Sequence, residues 1–204
     1  MSLAAEDGDT DAQRVVPRAI RFTDLPRHPL DQGRGSAREI WADLGADLTL
    51  RWQLRVVEIK DSAALLVGPA GTQHFVVGLA GPQVSVRNTE ATRVLRRDQV
   101  LPVLSSTVHF DRPKLRSPGA SSLIVLTYVA AAAMPGFTIS TVGPDADLGA
   151  GAQLVLPLRG TVRVHGAEAG PGSALLLDPA QRYCQSPATA HLLTVHQPGS
   201  YPES

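Results

Sequence analysis

The chain has 204 residues, and its 19 basic side chains balance 19 acidic ones, so the formal net charge is zero. A hydrophobic share of 43% excludes wholesale disorder, and the neutral balance argues against a nucleic-acid partner. One cysteine, Cys184, excludes both a disulfide framework and a zinc site built from several thiolates.

Residues 1–13 are small, acidic and aperiodic, and read as a disordered leader without the apolar core of a signal peptide. The run Gln32-Gly-Arg-Gly-Ser36 reads as a tight turn whose amides could face an anion, with Arg34 or Arg38 as a planar donor fork. The clearest strand spans residues 48–56. Leu48, Leu50, Trp52, Leu54 and Val56 fall on one face, and Gln53 and Arg55 on the other. Shorter strands are expected at 73–79, 83–87, 99–103, 107–110, 137–142, 153–158, 161–165, 173–177 and 191–196. The 18 glycines and 16 prolines suit the many tight turns between them. Residues 93–98, rich in arginine, read as a surface turn. Residues 122–134 read as a strand running into an Ala-rich turn or short helix. Residues 123–134, the longest apolar stretch, are too few to span a bilayer, so a cytoplasmic protein with no membrane partner is expected.

A repeat organises these strands. Val76, Leu79, Gly81, Val84 and Val86 match Val155, Leu158, Gly160, Val162 and Val164, each set reading strand, glycine turn, returning strand. The expected fold is therefore all-β, with few helices: a 14–204 domain of two small barrels or half-barrels, about 18–116 and 120–200, sharing one core.

A hairpin whose turn glycine precedes Val-x-Val, duplicated along the chain, resembles the double-stranded β-helix of the cupins. Arg21-Phe-Thr-Asp-Leu-Pro26, the segment from His28 to Ile40, and Trp52-Gln-Leu-Arg-Val-Val-Glu-Ile59 together resemble the opening of the HutD/Ves family, a bicupin-like group. Gly33, Gly35, Arg38, Glu39, Trp52 and Glu58 match its pattern. Leu30, Gln32, Arg34 and Ala37 replace its Trp, Asn, Gly and Thr, while Gln53 and Arg55 replace its Arg and Ser. The resemblance implies a non-catalytic protein that binds a small anionic metabolite and regulates histidine utilisation or a stress response. Urocanate and formylated glutamate derivatives are the ligand types it suggests.

None of the six histidines forms a His-x-His pair or has a Glu at cupin spacing, so no metal or other cofactor is expected. No nucleophile elbow or phosphate loop occurs, and no catalytic residue is assigned. The ligand-binding candidates are Arg38, Glu39, Trp52, Gln53, Arg55 and His74. Arg38 and Glu39 project to opposite sides of an extended chain, so at most one reaches a common pocket. Trp52 shares its face with leucines and suits a core as well as a ligand platform. Gln53 and Arg55 could read a carboxylate if their face looks into a barrel mouth. The rival reading is a metal-dependent cupin enzyme, an oxygenase or isomerase, and a third is a filled barrel serving as a partner in a homodimer.

Overall fold

A computed structural model describes residues 17–88, 91–112, 119–132, 134–178 and 181–198, so the predicted leader lies outside the described residues. The described residues form eighteen strands and a 3₁₀ turn at Phe22–Asp24. An N-terminal group comprises β1 (Arg18–Arg21), β2 (His28–Pro29) and β3 (Gln32–Leu44). The first half follows with β4 (Leu50–Val67), β5 (Thr72–Ala80), β6 (Val84–Arg87), β7 (Thr92–Leu95), β8 (Val100–Val103), β9 (Thr107–Asp111) and β10 (Ser121–Val129). The second half comprises β11 (Gly136–Val142), β12 (Asp145–Asp147), β13 (Ala152–Arg159), β14 (Val162–Val164), β15 (Ala167–Ala169), β16 (Ser173–Leu176), β17 (Tyr183–Gln185) and β18 (Ala190–His196).

Strand pairing repeats between the halves. In the first, the order β4-β10-β5-β8 forms one wall, and β4-β9-β6-β7 forms the other, with the long β4 bending through both. In the second, β11-β18-β13-β16 and β12-β17-β14-β15 reproduce those walls with β4 split in two. Gly81 and Gly160 occupy the matching turns at φ 86° and 73°, a left-handed conformation that glycine adopts without steric cost. β1 breaks the symmetry: it pairs antiparallel with β16, in the other half.

Alternation along these strands produces three apolar clusters. Val57, Ile59, Val76, Phe110, Leu123 and Val125 fill the first barrel. Val155, Val162, Leu175, Cys184 and Leu192 fill the second. Trp52, Leu54, Val56, Ile124, Leu154, Leu156 and Leu193 form the shared core between them. Cys184 is buried, and burial pushes its thiol pKa up, so it serves as a small packing residue.

Three local expectations are corrected. Leu48 is exposed rather than on the buried face of β4, because a turn closed by Gly45 N–H to Thr49 O (2.7 Å) places it at φ 62°. The Gln32-to-Ser36 run is extended strand, paired with β4, and not an anion-binding turn. Gly35 is needed there for close approach, since a Cβ would come within 2.5 Å of Leu30 and 2.9 Å of the Glu58 carbonyl. Residues 93–98 are not a free turn either: Thr92–Leu95 is a strand, and Arg97 bridges to Gly78. Residues 121–129 run as a strand into a turn at 130–132, one of the two forms expected.

Candidate functional site

The inner face of the first barrel changes character along β4. Ala37, Val57 and Leu123 form one apolar row across β3, β4 and β10. The next row is Glu39, Arg55, Val125 and Val76, and the one beyond carries Gln53, Thr127 and His74. Arg55 and Gln53 share the face of Val57 and Ile59, so the strand period turns them into the barrel rather than outward.

Thr127 and His74 are fully buried. Arg55 Nη2 donates to Thr127 Oγ1 at 3.1 Å, and His74 Nδ1 lies 2.9 Å from the same oxygen. His74 Nε2 faces the Ser106 carbonyl at 3.2 Å. A carbonyl only accepts, so Nε2 carries the proton and Nδ1 accepts from the threonine hydroxyl. The hydrogen bonds therefore run in one direction, from Arg55 through Thr127 and His74 to Ser106. Burial is the main cause that pushes His74 down to about 4; the Ser106 carbonyl opposes the shift and the Arg55 charge adds to it. The imidazole is neutral at pH 7, with both nitrogens engaged.

Arg55 is thereby oriented, and its Nε–H is buried with no acceptor among the described residues. Burial lowers its pKa while Asp31 and Glu39 raise it, and it forms no ion pair among the described residues. Each carboxylate already accepts once through one oxygen: Glu39 Oε2 from Gln53 Nε2, and Asp31 Oδ2 from Val67 N–H at 2.8 Å. Beside these groups opens a cavity of about 400 Å³, roofed by the β2 hairpin and lined by Asp31, Glu39, Gln53, Arg55 and Leu66.

The structure brings Glu39, Gln53, Arg55 and His74 into one neighbourhood. It places Trp52 in the shared core, 1% exposed, and Arg38 on the opposite face of β3 from Glu39. Arg38 Nη1 donates to the carbonyls of Leu25 and of Thr23 (3.3 Å), bracing the N-terminal segment. Thr127, which joins the Arg55 guanidinium to the neutral His74 imidazole, belongs to no motif in the sequence. Only its register opposite Gln53 and His74, which needs the fold, reveals it. Among the described residues, no group of three or more His, Cys, Asp or Glu could hold a metal ion. No helix among them is long and apolar enough to cross a membrane.

The second half repeats the frame with other side chains. The row Arg55, Val125, Val76 becomes Thr138, Thr194, Val155, and the row Gln53, Thr127, His74 becomes Gly136, His196, Ala152. His196 Nε2 lies 3.5 Å from Thr138 Oγ1 and its Nδ1 3.3 Å from the Ala150 carbonyl.

Neither a protein-family model nor a curated protein matches the chain. Solved structures do. HutD from Pseudomonas fluorescens SBW25, in a formate condition, is similar over 90% of this chain and 100% of its own, with a TM-score of 0.69 and 21% identity. A conserved protein of unknown function from Pseudomonas aeruginosa PAO1 is similar over 88% of this chain and 97% of its own, with a TM-score of 0.69 and 23% identity. A cupin 2 conserved barrel domain protein from Leptotrichia buccalis matches 90% of this chain and 98% of its own, at a TM-score of 0.57 and 12% identity. The chain thus has the all-β cupin-type fold that HutD also has.

Proposed function

We propose that the first barrel is a receptor for a small carboxylate, and that the chain binds this metabolite without transforming it. The observation that carries the reading is Arg55: a guanidinium oriented by Thr127, lining a cavity, with no ion pair among the described residues. A carboxylate in the cavity would accept a charge-assisted hydrogen bond from the guanidinium N–H groups that Thr127 does not use, the strong kind in a partly dry site. Asp31 and Glu39 narrow the class, because a bare anion would meet their repulsion. A carboxylate that also offers N–H donors satisfies both sides. Urocanate, with its ring N–H, and a formylated glutamate, with its amide N–H, have this chemistry, which agrees with the likeness to HutD. Ligand occupancy would then report histidine breakdown to a regulatory partner.

Binding is favoured over turnover by His74. Its Nε2 proton and its Nδ1 lone pair are both committed inside the wall, leaving neither for acid–base work on a ligand. Titration calorimetry with urocanate and N-formylglutamate tests the reading. Affinity for one of them should fall at least a hundredfold in Arg55→Met. Equal affinity of the variant for whichever ligand binds would sink it.

A further inference from the structure

A second cavity, of about 250 Å³, lies where the halves meet and shares no lining residue with the first. Its floor is apolar: Phe22 from the 3₁₀ turn, Val56 and Leu79 from the first half, and Leu158 from the second. Arg38 and Arg97 stand on its rim. Both are planted by backbone geometry rather than by carboxylates.

Arg97 owes its place to Gly78. A Cβ there would come within 2.1 Å of the Arg96 carbonyl, so only glycine lets residues 96–98 lie flat on β5. Gly78 N–H donates to Gln99 O at 3.1 Å, and Asp98 N–H to Gly78 O at 2.8 Å, fixing the segment. Arg97 Nη2 reaches the Leu158 carbonyl across the halves at 3.4 Å. Asp98 is claimed by Arg159 at 2.5 Å, against 3.8 Å to Arg97. On the other rim Arg38 spends Nη1 on the Thr23 and Leu25 carbonyls, and Glu58 is paired with Arg27. Among the lining residues Arg38 and Arg97 stand against Glu58 alone, which leaves an excess of one positive charge over an apolar floor.

We propose that this inter-barrel groove is a second ligand site, selective for a small amphipathic monocarboxylate. Its apolar body lies on Phe22, Val56, Leu79 and Leu158, and its carboxylate accepts from Arg97 and Arg38. At interior packing density the cavity holds about ten non-hydrogen atoms, the size of an aryl-alkyl acid. The chemistry differs from that of the first cavity, where Asp31 and Glu39 ask for N–H donors. Because Phe22 is tied to Gly172 O (2.9 Å) and Leu158 belongs to the second half, an occupant touches the N-terminal segment and both barrels at once.

The test uses 3-phenylpropanoate and its neutral amide, titrated into the full chain and four variants by calorimetry, with thermal unfolding confirming that each variant folds. The acid should bind at least tenfold more tightly than the amide. Arg97→Ala and Arg38→Met should each weaken the acid about tenfold or more, Ala80→Phe should abolish binding by filling the groove, and Arg55→Met should leave it unchanged. Equal affinity for acid and amide overturns the proposal. So does loss of binding in Arg55→Met with Arg97→Ala unaffected, or the absence of acid binding at millimolar concentration.

Discussion

The two barrels share a strand order, a turn glycine and an inward-facing register, yet they furnish the same rows with different chemistry. Where the first half places Arg55, the second places Thr138; where the first joins Thr127 to His74, the second has His196 beside Ala152. The frame is thus indifferent to what the rows carry. A duplicated barrel needs its apolar rows to fold, and is free to place a guanidinium in one copy and a hydroxyl in the other. Between them lies the shared core, which belongs to neither and holds both.

That last point is the easiest to break. Trp52→Ala removes a fully buried side chain from the shared core and should cost about 3–5 kcal/mol. Urea unfolding should show one transition for the variant, with both halves lost together; two separated transitions would mean that the barrels are independent.

Acid should act through the first barrel. The folded state holds His74 neutral, with its pKa lowered from 6.5 to about 4. A depressed histidine contributes its full stability above pH 6.5 and loses it as the pH falls toward 4, by about 3 kcal/mol in all. His74→Gln, less stable at neutral pH, should show a correspondingly shallower loss between pH 6.5 and 4. Parallel stability curves for the two proteins would refute this role.

Arg55 should separate stability from function. It is partly buried, with an unpaired donor, and such a charge costs more to desolvate than one hydrogen bond returns. Arg55→Met is therefore expected to match or exceed the parent in stability, by up to about 1 kcal/mol, while losing the ligand. A fall of several kcal/mol in chemical denaturation would show Arg55 to be structural. The smallest effect is expected at the second barrel's edge, where Arg163 and Glu168 pair in full solvent. Arg163→Ala should shift stability by less than about 0.5 kcal/mol, which a double-mutant cycle with Glu168→Ala can measure.

The same contrast explains what could be read from the chain. Strands with a buried and an exposed face announce themselves by alternation, which is why residues 73–79 and 191–196 stand out and why Gln53 and Arg55 could be put on one face opposite Trp52. The glycine turns at 81 and 160 mark the duplication because φ above zero restricts the residue type. Thr127 and Arg97 could not be found this way. Thr127 matters only through its partners 53 residues and 72 residues away along the chain. Arg97 sits in an arginine-rich run that resembles any solvated turn, and its position depends on the missing Cβ of Gly78. Leu48 misled for the converse reason: it continues the alternation of β4 by one step, while the Gly45 turn has already redirected the backbone.

The pairing of β1 with β16 also sets a timetable for synthesis. Arg21 meets Ser173, about 150 residues downstream, so at roughly 5–20 residues per second β1 leaves the ribosome about 8–30 s before an edge exists to receive it. The first barrel can close in that interval, but Trp52, Leu54 and Val56 face water until β13 and β18 arrive to cover them. A ribosome pausing within the second half would hold out an apolar sheet beside an unpaired strand. Both are surfaces that a chaperone, or the same sheet on a neighbouring nascent chain, is suited to capture.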